Sequence, residues 1–327
     1  MVAMLVSRAI ASPNLAFIKY WGNSDENLHL PTNGSISMTL GGLSTESEVG
    51  FSDEYTADEL IINGQVADAS ATRRASRHLE KVRGLAGCKL RAHVESTTNF
   101  PVSAGLASSA SAFAALTVAA THALGLNLSE REMSALARLG SGSAARSIPG
   151  GFVEWKVGRS HLESYGEQIL PPTHWSLVDL IAVVSRAPKG TTSTDGHLLA
   201  RTSPLQEVRT VSCVSRLDEC RSSLFDRDFQ GLARVSELDS IMLHAVAMTS
   251  QPPLFYWTAS TFDIMISVRM WRAEGLDVFA TVDAGANVHC VCSEESSEEV
   301  RQRLVSHPAV LEVIRASVGE AARVCPA

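Results

Sequence analysis

Residues 107–124 are rich in alanine and leucine, and they follow directly on a loop of small residues that starts at Pro101. Alanine and leucine are strong helix formers, and Gly125 is placed to end the helix. A helix without a broad polar face must be covered by other elements on several sides. The stretch therefore predicts a buried helix, which requires a chain with enough other elements to enclose it.

The rest of the chain supplies such elements. Its 327 residues, 45% hydrophobic and 19% charged, suit a globular protein of one large domain or two ordinary ones. Strand-like and helical patterns occur in both halves, which predicts an α+β protein of two lobes with a cleft between them. We place the division near residue 180, giving domains at 1–180 and 181–327. The predicted strands are 35–40, 48–51, 90–96, 177–185, 278–282 and 288–292, and the predicted helices are 72–82, 107–124, 129–140, 205–224, 228–249 and 258–275, followed by a last helix and short strand.

Charge, hydropathy and cysteine usage exclude several function classes. A net charge of −7 and a pI near 5.8 provide no basic field for a nucleic acid, and no apolar run approaches the roughly 18 residues of a membrane span. The apolar N-terminus lacks a leading basic region and is interrupted by Arg8, so we expect no secretory signal. The six cysteines lack CxxC spacing, which predicts free thiols in a cytoplasmic protein. Cys290 and Cys292 alternate along a strand-like segment, which favours core thiols over metal ligands.

The loop before the buried helix has the composition of a phosphate-binding loop. Its central residues are Gly105, Leu106, Ala107, Ser108 and Ser109. Small side chains let backbone N–H groups approach an anion, the helix N-terminus adds positive potential, and serine hydroxyls can contact phosphate or Mg²⁺. The structural alternative is an ordinary serine-capped helix, since the loop is neither a Walker A sequence nor GxGxxG.

A second loop of small residues ends in an arginine. Ser141, Gly142 and Ser143 precede Arg146, and the loop follows a helix that opens with a capping box at Ser129. A guanidinium is a planar fork that suits a carboxylate or phosphate, and the hydroxyls can complete the contact. The alternative is a flexible connector with a surface arginine.

Two charged residues stand in apolar surroundings. Asp283 ends an apolar strand where a turn begins, a position suited either to a catalytic carboxylate or to a residue that stabilises the turn. Lys19 lies inside a predicted apolar strand in the segment 14–22, and a buried ammonium requires a partner. That partner is either a ligand phosphate or carboxylate or a structural acidic residue.

Five segments in chain order carry recognisable motifs. Residues 14–40 are similar to NIAxIKYWGKRDxxLxLPxNxSISxTL, and residues 99–114 to NFPTAAGLASSAAGFAAL. Residues 140–155, 242–257 and 282–287 are similar to GSGSACRSxxGGFVxW, FHAxMxTxxPPxxYW and FDAGPN. The five motifs together resemble the mevalonate diphosphate decarboxylase branch of the GHMP kinase superfamily, and they extend over both halves of the chain.

The resemblance implies a fold and a reaction. The fold would be the two-lobed GHMP kinase fold, with an N-terminal lobe like ribosomal protein S5 domain 2, a ferredoxin-like C-terminal lobe and the site between them. The reaction would use ATP and Mg²⁺ to phosphorylate the 3-hydroxyl of a phosphorylated mevalonate, and phosphate and CO₂ would then leave. The product would be an isopentenyl compound for isoprenoid biosynthesis.

The resemblance also implies roles for individual residues. Asp283 would orient or deprotonate the 3-hydroxyl, and Lys19 would support it electrostatically. Arg146 would act with them and hold the substrate carboxylate and phosphate. The loop 105–109 would hold the ATP phosphates, with Ser108 and Ser109 also serving the metal. The other substrate-binding residues would be Tyr20, Trp21, Ser141, Gly142, Ser143 and Arg74.

Two departures from the family motifs bear on the substrate. Asn23 and Ser24 stand where the motif has two basic residues, and the segment at Thr194 and Asp195 lacks an arginine that relatives often carry. Fewer cations beside a diphosphate weaken charge-assisted contacts, whereas a monophosphate needs fewer partners. We therefore expect mevalonate 5-phosphate as substrate, giving isopentenyl phosphate, unless the arginine cluster at 73–77 supplies the missing charge.

Three other functions stay open at this point. The first alternative is decarboxylation of mevalonate 5-diphosphate to isopentenyl diphosphate, and the second is a mevalonate 3-kinase without decarboxylation. The third is a regulator that binds a ligand without chemistry, against which the presence of Lys19 and Asp283 argues. The expected partner is a small molecule, with neither nucleic acid nor membrane, and the sequence leaves a homodimer open.

Overall fold

The computed structural model describes residues 4–101, 108–187 and 190–326. Helices and strands occur in both halves, so the expected α+β class is confirmed. The strands are β1 (Leu5–Ala11), β2 (Asn14–Ile18), β3 (Asn23–Asp25), β4 (Leu30–Pro31), β5 (Ser35–Gly41), β6 (Thr45–Ser52), β7 (Glu59–Ile62), β8 (Gln65–Val66), β9 (Arg91–Thr98), β10 (Phe152–Trp155), β11 (Gly166–Leu170), β12 (Leu177–Val183), β13 (Val278–Thr281), β14 (Val288–Ser293), β15 (Glu312–Val318) and β16 (Arg323–Val324). The helices are α1 (Ala69–Ala86), α2 (Ser108–Ala123), α3 (Glu130–Arg138), α4 (Ser193–Ala200), α5 (Gln206–Asp226), α6 (Phe229–Thr249), α7 (Ala259–Ala273) and α8 (Glu294–Val305).

The first sheet carries the buried helix that the sequence predicts. Its strand order is β16-β1-β6-β9-β7-β8, and α2 packs against β1 and β6 as well as α1 and α3. Nearly every residue of α2 after its first turn is buried, and Gly125 ends the segment with a φ of +67°. The capping box at Ser129 is present, since its hydroxyl and the Glu132 carboxylate bind each other's backbone N–H groups. These local signals from the sequence are therefore confirmed.

The second sheet extends through both halves of the chain. Its strand order is β11-β10-β5-β15-β12-β14-β13, with β2 paired to β5. One face packs against α5 and α6 through residues such as Phe229 and Phe279, and the other packs against α7 and α8. Cys290 and Cys292 are fully buried on the second face, so the expected core thiols are confirmed.

Strands near the C-terminus pair with strands of the N-terminal half, so the two halves of the chain share both sheets. Ser317 and Val318 of β15 pair with Gly41 and Leu40 of β5, and β16 pairs with β1 in the first sheet. The division near residue 180 therefore stays a prediction. Across the described ranges, no helix combines the length and the apolar character that crossing a bilayer requires.

Three local features differ from the sequence-based expectations. The loop at 140–147 contains a 3-10 helix, Gly142–Ser147, because a run of small residues gives no periodic signal. Lys19 comes just after β2 instead of lying within a strand. Helix α4 was not predicted at all, since its eight residues include a glycine and four weak helix formers.

Candidate active site

Lys19 and Asp283 form an ion pair where two strands of the second sheet end. Lys19 follows β2, Asp283 follows β13, and Lys19 Nζ lies 2.6 Å from Asp283 Oδ1. The Lys19 side chain is 2% exposed and that of Asp283 is 24% exposed. The partner of the buried lysine, which the sequence left open, is thus the other candidate catalytic residue. Of the pair, the carboxylate is the group that a ligand can reach.

The charges around Asp283 keep its carboxylate ionised. Burial is the largest influence and opposes ionisation, but Lys19, His289 and Arg146 together outweigh it and hold the pKa of Asp283 below its ordinary value. His289 is buried on β14, with Nδ1 2.6 Å from Asp179 Oδ2 on β12. The ionised carboxylate is suited to accept a hydrogen bond from a hydroxyl group and to orient it.

Buried side chains from both halves of the chain fix the backbone of Lys19. Its N–H donates to Asp239 Oδ2 at 2.6 Å, and its carbonyl oxygen accepts from Arg209 Nη2 at 2.8 Å and Asn33 Nδ2 at 2.9 Å. Asp239 also pairs with Arg209 at 3.2 Å and Arg216 at 2.8 Å. The position of Lys19 is therefore determined by a buried Arg-Asp-Arg group on α5 and α6.

Helix α6 also binds the backbone just before Asp283. The Ser240 hydroxyl accepts from Val282 N–H at 3.0 Å and donates to the Val282 carbonyl at 3.1 Å. Burial lowers the pKa of His244 to about 3, so the neutral ring donates from Nε2 to the same carbonyl at 3.2 Å. Since β13 is the edge strand, these side chains take the place of a neighbouring strand and fix the approach to Asp283.

Arg146 is held from one side by two neutral groups. Its Nε donates to Asn14 Oδ1 at 3.0 Å and its Nη1 to the Ser35 hydroxyl at 2.5 Å, while its guanidinium lies 5.8 Å from the Trp155 ring centroid. Burial lowers the pKa of Arg146 to about 10, which leaves it positively charged at neutral pH. Within the described part of the chain, Nη2 has no hydrogen-bond partner, so Arg146 retains a donor for an anionic ligand.

Serine hydroxyls connect the start of α2 with the segment that carries Arg146. Ser109 Oγ lies 3.2 Å from Ser141 Oγ, which lies 3.5 Å from Ser143 Oγ. The two small-residue loops of the sequence therefore meet in the fold. Of the predicted phosphate-loop residues, Ser108 and Ser109 begin α2, whereas Gly105, Leu106 and Ala107 lie outside the described residues.

Tyr20 borders the same region. Its ring packs edge-on against Trp155 at 4.6 Å and stacks on His197 at 4.0 Å, and its hydroxyl donates to Asn23 Oδ1. A Cβ atom at Gly142 would come within 2.8 Å of the Tyr20 ring, so this close approach requires glycine. Tyr20, Gly142 and Arg146 thus line one continuous region.

Two family models match the chain. The diphosphomevalonate decarboxylase-like N-terminal domain matches residues 11–166, and the mevalonate 5-diphosphate decarboxylase C-terminal domain matches residues 179–321. The diphosphomevalonate decarboxylase of Candida albicans is 35% identical over 93% of this chain and 89% of its own length. The chain belongs to the diphosphomevalonate decarboxylase family.

Solved structures support the family assignment over the whole fold. The mevalonate diphosphate decarboxylase of Staphylococcus aureus matches with a TM-score of 0.95 and 34% identity, covering 99% of this chain and 98% of that one. A structure described as MDDEF in complex with MVAPP, AMPPCP and magnesium matches with a TM-score of 0.94 and 35% identity, covering 99% of this chain and all of that one. The two-lobed GHMP kinase fold that the motifs implied is therefore confirmed.

Two of the expected substrate-binding residues of this family member make contacts other than those of the central group. Trp21 is 2% exposed in a small core with Tyr256 and Leu243. Arg74 is half-buried on α1, its guanidinium 5.2 Å from the Phe113 ring centroid. No described contact joins Arg74 to Tyr20, so its role in binding stays a prediction.

The structure adds positioning residues that sequence reasoning missed. Four of them lie in segments that the sequence predicts only as helices or a strand, with no role for the individual residues: Asp239, Arg209, Ser240 and His289. Charged residues spaced along a helix are typical of a solvated face, and only the packing of α5 against α6 shows that Arg209 and Asp239 are buried. His197 was missed because α4 was missed.

Proposed function

We propose that this chain decarboxylates mevalonate 5-diphosphate to isopentenyl diphosphate, with ATP and Mg²⁺. The observation that carries the proposal is the Lys19–Asp283 pair close to Arg146, which combines an ionised carboxylate with two fixed positive charges. The relatives are named for the diphosphate substrate. They support this alternative better than the monophosphate that Asn23 and Ser24 led us to expect.

The residues at the start of α2 fit a nucleotide with a divalent ion. Helix α2 is sixteen residues long, and its first turn places the Ser109 hydroxyl beside Ser141. When bound, ATP would supply the phosphoryl group and Mg²⁺ would neutralise negative charge on its phosphates. Ser108 and Ser109 would hold the phosphates and the metal, with the α2 N-terminus contributing its dipole.

Asp283 and Lys19 would act on the substrate's 3-hydroxyl group. The accessible Asp283 carboxylate would accept the hydroxyl proton as the oxygen forms its bond to phosphorus. Lys19, 2.6 Å from the carboxylate, would keep it ionised before the transfer. Because α6 fixes the backbone on both sides of this pair, little reorganisation is needed during the reaction.

Arg146 would hold the substrate carboxylate through Nη2, for which the described residues offer no hydrogen-bond partner. With that carboxylate fixed, the 3-phosphate leaves with its electron pair, and the electrons of the breaking bond to CO₂ form the new double bond. Lys19 and Arg146 would stabilise the negative charge of the departing phosphate, since both side chains are buried and held in place by neighbouring groups.

A second candidate substrate is mevalonate 5-phosphate, and one observation favours it. Asn23, which replaces a basic residue of the family motif, uses its amide to bind Glu26 at 2.7 Å and accepts from the Tyr20 hydroxyl. Asn23 therefore adds no positive charge beside Tyr20, where a diphosphate would profit from a further cation.

Product analysis on both substrates tests these alternatives. Purified protein with ATP and Mg²⁺ should release ADP and CO₂ in equal amounts, with the higher kcat/KM on mevalonate 5-diphosphate. A higher value on mevalonate 5-phosphate would make the monophosphate the substrate. ADP release without CO₂ would show that the protein is a 3-kinase. No turnover on either compound would refute the proposed function.

Replacing Lys19 with methionine should move the acidic limb of the pH profile to higher pH. Lys19 is the largest influence lowering the pKa of Asp283, and burial would raise that pKa once the cation is gone. The residual kcat/KM of Lys19→Met should therefore decline at a higher pH than that of the wild type. Lys156→Met, which removes a partly exposed lysine paired to Glu154, should leave the limb in place. An unshifted limb in Lys19→Met would show that Asp283 does not control it.

Other expectations also stay proposals. A cytoplasmic location is supported by the six cysteines, which are all free thiols. The domain division near residue 180 is supported by the two matched domains, which meet between residues 166 and 179. A homodimer stays open and would be tested by the mass of the purified protein in solution.

A further inference from the structure

Helix α4 brings His197 against the tyrosine of the proposed substrate site. The His197 ring stacks on Tyr20 with centroids 4.0 Å apart and an interplanar angle of 26°, and it lies 4.8 Å from the Trp21 ring. Gly22 N–H donates to His197 Nδ1 at 2.9 Å. Three contacts with the segment 20–22 therefore fix the position and the orientation of the ring.

The Gly22 contact also fixes which nitrogen carries the proton. Nδ1 accepts a hydrogen bond, so the proton of a neutral ring is on Nε2. Burial lowers the pKa of His197 to about 3, and the nearby His29, Arg146 and Arg209 act in the same direction. The ring is therefore neutral at physiological pH. In the described ranges Nε2 has no hydrogen-bond partner, which leaves one oriented N–H donor on a half-buried side chain.

This donor lies in the part of the site where Asn23 replaces a basic residue of the family motif. Tyr20 contacts His197 with its ring and Asn23 with its hydroxyl. Asn23 stands at a basic position of the family motif, and its amide is occupied by Glu26. Gly196 lies so close to the Trp21 ring, 2.4 Å from a Cβ placed there, that α4 can approach this segment only with glycine at that position. The local backbone thus places His197 against the segment 20–22, which leads directly into Asn23.

We propose that His197 determines substrate specificity: its Nε2–H donates a hydrogen bond to the phosphoryl end of the substrate. The proposal rests on the proposed function, because it needs a phosphorylated substrate beside Tyr20. A neutral donor contributes binding energy without the desolvation cost of a second buried cation, and it distinguishes phosphoryl oxygens from groups that cannot accept. In this chain it takes over part of the role of the basic residue replaced by Asn23.

Two substitutions of similar size separate the two ring nitrogens. Asparagine at position 197 can accept from Gly22 N–H, as Nδ1 does, but cannot reach the position of Nε2. Glutamine reaches that position with an amide N–H but loses the Gly22 contact. If Nε2 binds the substrate, His197→Asn should raise KM for the phosphorylated substrate about tenfold, about 1.4 kcal/mol, with kcat little changed. His197→Gln should recover most of this loss.

If the role of His197 is purely structural, the defects of the two variants should have the opposite order. The variant that keeps the Gly22 contact, His197→Asn, would then resemble the wild type, and His197→Gln would show the larger defect in kcat and in melting temperature. The KM for ATP should stay unchanged in both variants if the contact is to the substrate alone. An unchanged substrate KM in His197→Asn, measured on protein with wild-type turnover, overturns the proposal and leaves the proposed function standing. If the wild type turns over neither phosphorylated mevalonate, both fall together.

Discussion

Asp283→Asn is expected to lower kcat/KM by about 10²–10⁴-fold without unfolding the protein. The amide has the size of the carboxylate but cannot accept the hydroxyl proton, and it leaves Lys19 without its ionic partner 2.6 Å away. Because Asp283 would contact the reacting group, most of the loss should be in kcat and little in KM. Coupled measurement of ADP release, with CO₂ trapping, gives both constants.

A matched substitution controls for the loss of a carboxylate as such. Asp53 is exposed in the loop after β6, and Asp53→Asn should leave kcat/KM and the melting temperature at wild-type values. If Asp283→Asn retains kcat/KM within a factor of ten of the wild type, the carboxylate is not the group that handles the hydroxyl proton.

Asp239→Asn should destabilise the protein by about 3–5 kcal/mol. The Asp239 carboxylate is fully buried and pairs with both Arg209 and Arg216, so its neutralisation leaves two buried guanidinium groups uncompensated. It also accepts from the Lys19 N–H, and activity should fall because Lys19 is no longer held in place. The shift of the urea unfolding midpoint measures the first effect.

Two further variants test whether the uncompensated buried charges cause the loss of stability in Asp239→Asn. Arg216→Met should shift the midpoint less, because Asp239 retains Arg209 and the Lys19 N–H. Glu298→Gln breaks an exposed pair with Arg301 on α8 and should leave the midpoint unchanged. A midpoint for Asp239→Asn equal to that of Glu298→Gln would mean that the arginines find solvent or other partners, contrary to the buried network described here.

Sequence reasoning succeeded where the signal is local. The α2 segment, the capping box at Ser129 and the alternating strand at Cys290 each depend on neighbouring residues whose propensities and spacing agree. Asp283 and Lys19 were also singled out, because each charge interrupts an apolar segment. The family resemblance implied that Lys19 supports Asp283, but the residues alone left the partner open, since 264 residues separate the two and either a ligand or an acidic residue would have satisfied the lysine.

The supporting residues could not be found in the same way. Asp239 and Arg209 lie on helices whose charged positions are typical of a solvated face, and only the packing of α5 on α6 buries them. His197 lies on a short helix with weak helix formers, where no periodic pattern marks the element. The preference for the monophosphate depended on Asn23 and Ser24 and on the segment at Thr194 and Asp195, and a few substituted positions weigh less than similarity to diphosphate decarboxylases along the whole fold.

The pairing of β5 with β15 has a mechanical consequence. Lys19 is attached to this sheet through β2 and β5, and Asp283 through β12, β14 and β13, so one backbone hydrogen-bond ladder links them. A hinge that separated the two side chains would have to break that ladder, which makes such a motion costly. Opening and closing for ligand exchange must therefore come from elements outside the ladder, such as α1 or α4, while the spacing of the reactive pair stays constant through each turnover.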